Sequence, residues 1–264
     1  MDTQMFLIPS QGKEVRRITR KDAEPFLLNI HYARRIPSIT DAFGLFVDGD
    51  LVGVVTYGIP PSVNLCVGLA GVENQYNVKE LNRLVLLPNY NSESGENHKN
   101  YASYLVSHSL KMLGNKTFVV SYADTAWTHV GYIYQATNFL YTGLSAKRND
   151  GYQPGGKHPR NYDKELNKEC GVLQTRSQKH RYVYLVGDKR TKKQMLKELK
   201  YPILPYPKGE EKHYDVENPI ISKPVEVVKR KNEYRERSNN IHGVTNHKTQ
   251  TANKHQNASQ QTMI

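Results

Sequence analysis

The chain has 264 residues, and 37 Lys and Arg against 25 Asp and Glu give it a formal net charge of +12, enough length for one sizeable core with a tail or for two small domains. No apolar run approaches the roughly 20 residues of a membrane span, and the N-terminal stretch lacks the charged-then-apolar order of a secretory signal. Two cysteines, Cys66 and Cys170, supply neither a disulfide framework nor metal-ligand spacing, so a reducing, intracellular setting is expected.

In chain order, Met5–Ile8 reads as a strand or lead-in, followed by a short helix from Thr19-Arg20-Lys21-Asp22. Ile30–Pro37 (IHYARRIP) sets His31 and Tyr32 beside Arg34 and Arg35, a dense polar cluster on a segment too short to be a stable helix of its own. Phe43–Val47 and Leu51–Tyr57 form the arms of a hairpin about Asp48-Gly49-Asp50, Asp-Gly being a favoured tight-turn pair. Tandem prolines after Gly58 close the second arm. Val63–Gly71, apolar with glycines, reads as a loop or irregular strand. Glu80–Leu87 is a third strand stopped by Pro88, Asn89–Asn100 a polar loop, and Tyr101–Leu113 an amphipathic helix with Leu105, Val106, Leu110 and Leu113 in helical spacing.

Thr117–Tyr122 resumes the sheet and opens the densest stretch, Val119–Gly143. After a polar turn at Asp124–Thr128, a short helix places Tyr132, Ile133, Ala136 and Phe139 on one face, and Leu140–Thr142 returns as a strand. Ser121, Tyr122, Asp124, His129, Tyr134, Gln135 and Asn138 gather there, at the end of a sheet where open α/β folds put their chemistry. Plainer roles compete: Asp124 suits a helix N-terminus, Asn138 a helix C-terminus, and Tyr132 ordinary packing.

Beyond Gly143 the character changes. Residues 1–144 carry 12 basic and 12 acidic side chains, and residues 145–264 carry 25 and 13, an asymmetry that points to a polyanionic partner. Ser145–Pro159 reads as a long loop, Arg181–Val186 as a strand, Lys189–Leu199 as a basic helix and Tyr201–Gly209 as an extended, proline-held segment that packs across the preceding domain. From Lys212 the chain is polar, and 233–264 is expected to be disordered. Arg176, Lys179, His180, Arg181, Lys189, Arg190, Lys192 and Lys193, interleaved with aromatics, are the expected phosphate contacts of a nucleic acid. A solvated basic face is the alternative.

The order of hairpin, Glu80–Leu87, polar loop, helix, strand and Ile133–Gly143 resembles the Gcn5-related N-acetyltransferase fold. The fold class implied is α+β: a mixed central sheet flanked by helices, here with a basic C-terminal extension and a disordered tail. The resemblance implies central strands that splay around a thioester donor, whose pyrophosphate sits on a glycine-rich loop. Between Leu87 and Tyr101 this chain offers only Gly95, which argues against a coenzyme A cradle.

A narrower set is His31–Pro37, the hairpin FGLFVDGDLVGVVTYGIP, Glu80–Leu84, Val120–Asp124, Ile133–Phe139 and KHRYVYL. Together these resemble the Mom family of phage DNA-modification proteins. The resemblance implies conversion of adenine to N6-carbamoylmethyladenine in double-stranded DNA, which blocks host restriction enzymes, in the cytoplasm of the infected bacterium. It leaves the group donor unnamed. The implied layout is a catalytic domain at 1–144, a basic DNA-binding extension at 145–211 packed on it, and a polar tail at 212–264. The sequence leaves a homodimer open.

Adenine N6 is a poor nucleophile because its lone pair is delocalised into the ring, so an enzyme must extrude the base, grip its edge and manage a proton. Asp124 is the candidate to accept from N6 and Tyr134 to act as acid or orient the base. Arg83, mid-strand, is either a structural ion pair with Glu80 or another acid, or a fork for the donor's carboxyl or phosphate. His31 and Tyr32 line the base pocket, and Ser121 and Ser107 complete the candidate set. His31, Tyr32, Asp124 and Tyr134 also make a donor set suited to iron. The rivals are an acetyl-coenzyme A-dependent N-acetyltransferase acting on a protein or small molecule, and a non-enzymatic nucleic-acid-binding protein. An adenine methyltransferase lacks its signature, since Ile59-Pro60-Pro61-Ser62 has the prolines without the amide or the aromatic.

Overall fold

The computed structural model describes residues 12–90, 100–127, 130–151, 172–209 and 224–226. Residues 1–148 with 177–222 form one compact unit, and 149–176 with 223–264 a second.

The first unit is built on a seven-stranded mixed sheet of order β1-β2-β3-β4-β5-β9-β6. Its edge strand β1 (Lys13–Arg17) pairs antiparallel with β2 (Asp41–Val47). No strand was expected at β1, because four of its five residues are charged and Val15 alone is buried; charged outward residues are how sheets protect an edge. The expected Met5–Ile8 strand lies outside the described residues. Helix α1 (Arg20–Pro25) starts on the anticipated capping signal, Thr19 and Asp22 bonding each other's backbone. It then widens into a π turn at Phe26–Ile30, closed by His31 N–H to the Phe26 carbonyl at 2.9 Å.

The hairpin of β2 and β3 (Asp50–Gly58) forms as expected. Asp48 and Gly49 both take positive φ, 51° and 94°, the backbone a twisted two-residue turn requires. Val63–Ala70, expected as a loop or irregular strand, is helix α2, ended by Gly71 at φ 83°. Its near-uniform apolarity hides the helical spacing of Cys66, Leu69 and Ala70, which are the buried positions.

Strand β4 (Val78–Leu86) pairs antiparallel with β3 and leads through α3 (Tyr101–Lys111) to β5 (Thr117–Asp124), which runs parallel to it. Helix α4 (Tyr132–Ala136) and β6 (Leu140–Leu144) follow. On α4 the buried residue is Tyr134 and Ala136 is exposed, so of the face expected from Tyr132, Ile133, Ala136 and Phe139, Phe139 is buried and Ile133 packs on the core while Ala136 points out. Strand β9 (Lys179–Val186) inserts between β5 and β6, so the central sheet draws on both sides of the expected boundary at 144/145. Helix α5 (Lys189–Glu198) comes next, capped by Asp188. Residues 201–209 are extended and packed as expected: Leu204 N–H donates to the Tyr141 carbonyl, Tyr206 OH to the Phe139 carbonyl and Tyr132 OH to the Gly209 carbonyl.

Two layers cover the sheet. Leu105, Val106 and Leu110 of α3 pack with Tyr57, Leu81, Val119, Tyr134 and Tyr182 on one side. On the other, α1 and its π turn (Ala23, Phe26, Leu27) cover Val54 and Val85, and α2 with Met195 of α5 covers Val78, Phe118, Val120 and Val183. The expected class, a mixed sheet flanked by helices, is what the chain forms. Among the described residues no helix is long and apolar enough to cross a membrane.

The second unit holds a three-stranded sheet of order β10-β8-β7, from β7 (Arg148–Gly151), β8 (Val172–Arg176) and β10 (Pro224–Glu226). Strand β7 falls where a continuous loop was expected. Residues 152–159 of that loop, and the expected tail apart from β10, lie outside the described residues.

One irregularity matters for everything that follows. Between β3 and β4 the register shifts so that Thr56 faces Arg83 and Tyr57 faces Leu81, leaving Asn82 as an extra residue, a β-bulge. Its side chain is pinned, accepting from Thr56 Oγ1 at 2.6 Å and donating to the Ser38 carbonyl at 2.7 Å. Leu81 belongs to the α3 layer and Val85 to the α1 layer, although residues four apart in a regular strand share a face. The bulge therefore turns Arg83 to the side where Glu80 already points. Gly58 abuts this lock: a methyl there would run into the Ser38 carbonyl and come within 2.9 Å of Asn82 Nδ2. Gly58→Ala is expected to cost about 1–3 kcal/mol of stability by overpacking, read as a lowered urea midpoint; an unchanged midpoint would show that the 38–40 segment yields freely.

Candidate active site

Strands β4 and β5 are hydrogen-bonded to each other only over Val78–Glu80 and Phe118–Val120, and beyond that each keeps only its other neighbour, β4 pairing with β3 and β5 with β9. A parallel ladder that opens frees backbone groups that need partners. Ser121 Oγ donates to the Leu81 carbonyl at 2.9 Å, and Arg83 Nη1 donates to the Asn82 carbonyl at 2.6 Å. Two of the expected site residues thus line the parting itself. Tyr134 reaches it from the α3 side, buried, with the Ser121 hydroxyl beside it and Tyr32 and Glu80 within electrostatic range. Burial lifts its phenol to about 12 against the pull of Ser121, so at neutral pH it is a neutral hydrogen-bond donor.

From the α1 side comes the turn after the π segment. His31 is buried, its ring stacked on Tyr32 at 4.3 Å between centroids. Its Nδ1 accepts from Ala33 N–H at 3.0 Å, and Arg34 N–H donates to the His31 carbonyl at 2.9 Å. Burial first, then the charges of Arg83 and Arg35, depress the imidazole to about 4. His31 is therefore neutral and engaged in holding the turn. Tyr32 keeps 45 % of its surface open; desolvation nonetheless raises its phenol, opposed by Arg83 and assisted by Asp124.

The two acids differ sharply. Asp124 is fully engaged: Oδ1 accepts from Ser177 Oγ at 2.5 Å and Ala126 N–H at 3.0 Å, and Oδ2 pairs with Lys179 at 3.0 Å. Burial alone would raise its carboxyl, but Ser177, Lys179 and Ala126 together hold it below the ordinary value. Glu80, the last paired residue before the gap, closes no ion pair among the described residues. Burial raises its carboxyl, with Arg83 and Lys179 only partly offsetting. Among the described residues Arg83 is paired with no acid, Glu80 included, and its buried Nε has no hydrogen-bond partner, so the structural ion pair that the sequence left open is not formed among them. An arginine left in this state invites an anionic ligand.

The remaining candidates fall elsewhere. Ser107 lies on α3 with its hydroxyl turned back to the Tyr104 carbonyl at 3.1 Å. Of the expected phosphate contacts, Lys179 sits in the site on Asp124. His180 is hydrogen-bonded to Tyr141 at 2.9 Å. Arg181 donates to Thr142 and stacks 3.4 Å over Tyr201. Lys192 lies over the Tyr184 ring, while Lys189, Arg190 and Lys193 are exposed on α5. Arg176 belongs to the second unit. Of the suggested iron ligands, His31, Tyr32, Asp124 and Tyr134 all border the gap, with His31 Nδ1 and both Asp124 oxygens already bonded; among the described residues no three of His, Cys, Asp and Glu gather as a metal-binding group. His129 and the segment with Gly95 lie outside the described residues. Glu80, Arg35, Asn82 and Lys179 are the site residues that the sequence did not single out for these positions; an acid inside the apolar run ELNRLVLL was the available signal for Glu80.

The family described as the Mom protein family matches residues 13–208. No curated protein matches the sequence. Solved structures similar to the chain include acetyltransferases. A Bacillus subtilis acetyltransferase in complex with CoA is 13 % identical at a TM-score of 0.38, over 67 % of this chain and 99 % of that one. The putative acetyltransferase yncA of Salmonella typhimurium, with its cofactor acetyl-CoA, is 9 % identical at 0.41 over 67 % and 95 %. Arabidopsis thaliana NAA60 with a bisubstrate analogue is 13 % identical at 0.41 over 66 % and 98 %.

The depressed imidazole makes the turn a pH-dependent element. Below an unfolded value of 6.5 the unfolded chain takes up a proton that His31 in the fold refuses until about 4. Stability is therefore complete above 6.5 and falls as pH drops through that window. His31→Asn, which keeps an acceptor for Ala33 N–H without a titrating ring, is expected to flatten this stretch of the stability–pH curve; an unchanged slope in denaturation at pH 6.5 and 4.5 would show that other groups cause it.

Proposed function

The chain belongs to the Mom protein family, and from that premise we propose that it is a DNA-modification transferase that converts adenine to N6-carbamoylmethyladenine in double-stranded DNA and so protects phage DNA from restriction. The observation that carries this reading is the parting of β4 and β5, where phenols, an unpaired arginine and two acids of opposite character meet. Extruding a base into such a gap removes it from the stack and exposes its Watson–Crick edge.

The residues divide the work. Tyr32, partly exposed and stacked on His31, receives the face of the base. Tyr134 donates to a ring nitrogen, which fixes the base. Arg83 holds an anionic group of the donor through its unpartnered Nε. As the N6 lone pair forms the new bond to the methylene carbon of an activated carbamoylmethyl donor, the donor's leaving group departs with its bonding electrons, and the N6 proton passes to Glu80. Asp124, expected from the sequence to take that proton, is too well supplied with donors to be basic; it fixes Lys179 and the β5–β9 end beside the reacting atoms. An acetyl transfer from coenzyme A to a protein or small molecule would use the same gap.

The test is expression of the full chain in bacteria, digestion of plasmid to nucleosides and mass spectrometry. An adenine heavier by an acetamido unit is expected from the wild type. Glu80→Gln should lower the modified fraction on the order of 100-fold or more, as for loss of a general base, with Asp124→Asn less damaging. Unmodified plasmid from the wild type would overturn the DNA reading in favour of another acceptor. Equal loss in Asp124→Asn with full activity in Glu80→Gln would return the proton to Asp124.

A further inference from the structure

The cationic residues of β9 are already engaged within the fold, Lys179 with Asp124 and Arg181 with Thr142 and Tyr201. The free charge at the mouth of the gap lies elsewhere. Arg34 and Arg35 are exposed and make no side-chain hydrogen bond or ion pair among the described residues. Arg35 and Arg83 oppose each other's charge, and among the described residues neither closes an ion pair with an acid, an arrangement that an anion relieves. The turn that carries them is stiff: the Ala33–His31 and Arg34–His31 bonds close it, and Arg34 is held at φ 39°, a backbone conformation that non-glycine residues adopt at some energetic cost. It follows α1, on the side of the sheet that also carries α5, so its arginines share that side with Lys189, Arg190 and Lys193.

We propose that the Tyr32–Arg35 turn is the DNA-gripping lip of the cleft, with Arg34 and Arg35 on the backbone phosphates that flank the extruded adenine and Tyr32 stacked on the base. This rests on the DNA-modification reading and assigns its strand contacts. Guanidinium forks match phosphate oxygens in pairs, and a phosphate on each side of a flipped nucleotide is what a base-extruding protein needs to hold. The same chemistry would fit a donor's pyrophosphate, so the two sources have to be measured separately.

The experiment uses the purified full chain and a fluorescein-labelled adenine-containing duplex and single strand, with no donor added, across a salt series. Arg34→Gln/Arg35→Gln is expected to weaken binding and flatten the plot of log K against log salt by about 1–2, one phosphate for each arginine. Tyr32→Ala is expected to lose roughly tenfold on the single strand, and Tyr32→Phe to retain it. Wild-type thermal stability in both arginine positions separates this from misfolding, and Arg34→Lys/Arg35→Lys should restore most of the salt slope. A double Gln variant with the wild-type slope overturns the proposal, as does a variant that loses only thermal stabilisation by inorganic pyrophosphate, which would give the arginines to the donor. A wild-type chain that binds neither DNA at low salt would overturn the DNA reading beneath it.

Discussion

The site exists because two parallel strands stop bonding to each other. After Glu80 and Val120 the β4–β5 ladder ends, inside a sheet that is otherwise continuous from β1 to β6. Opening a sheet at its centre strips carbonyls of their partners in a place where water is scarce, and each unsatisfied group is expensive. The chain answers with side chains: Ser121 for Leu81 and Arg83 for Asn82. Ser121 is therefore first a brace across the parting. Arg83 gives one nitrogen to the brace and keeps Nε unspent, which is why its charge remains available to a ligand.

The bulge at Asn82 converts that opening into a constellation. Glu80 and Arg83 are three apart, and in an unbroken strand they would point to opposite layers. With one residue inserted they share the α1 side, near Tyr32 and His31. The bulge is held by two segments: β3, through Thr56 and through Gly58, whose lack of a side chain lets the backbone close, and the carbonyl of Ser38. None of these three residues carries chemistry, yet the geometry of the reacting groups depends on them.

Much of this was legible in the residues, and the reasons for the exceptions are physical. Asp48-Gly49 fixed the hairpin because positive φ at both positions has few alternatives, and Thr19 with Asp22 marked α1 because reciprocal capping is local. Helix α2 was misread because an evenly apolar octet has no polar face to reveal its period. Strand β1 was missed because an edge strand needs one inward residue. The bulge left one trace, Leu81 and Leu84 packing towards the same layer at a spacing of three, which neither strand nor helix alternation made conspicuous among so many leucines. Tyr134 was identified as a site residue, but its burial was not: only the docking of residues 201–209 on α4 and β6 shows which side of that short helix is inside.

Charge was the least transferable signal. A surplus confined to residues 145–264 points to a polyanion, but says nothing of which cations meet it, because a strand inserted into a sheet must commit its side chains to the neighbours it finds. Lys179 faces Asp124 in register across β5 and β9, so one of the cations expected to meet phosphate is the counter-ion of the carboxylate expected to take the proton. That pairing separates the two acids: three donors hold the carboxyl of Asp124 below its ordinary value, and Glu80, left with distant cations, is raised by burial. Exposed arginines also stand at Arg34 and Arg35, in a half whose formal charge is zero, beside Lys189, Arg190 and Lys193 of the basic half. Net charge counts residues; recognition depends on which of them remain unpaired once the sheet has formed.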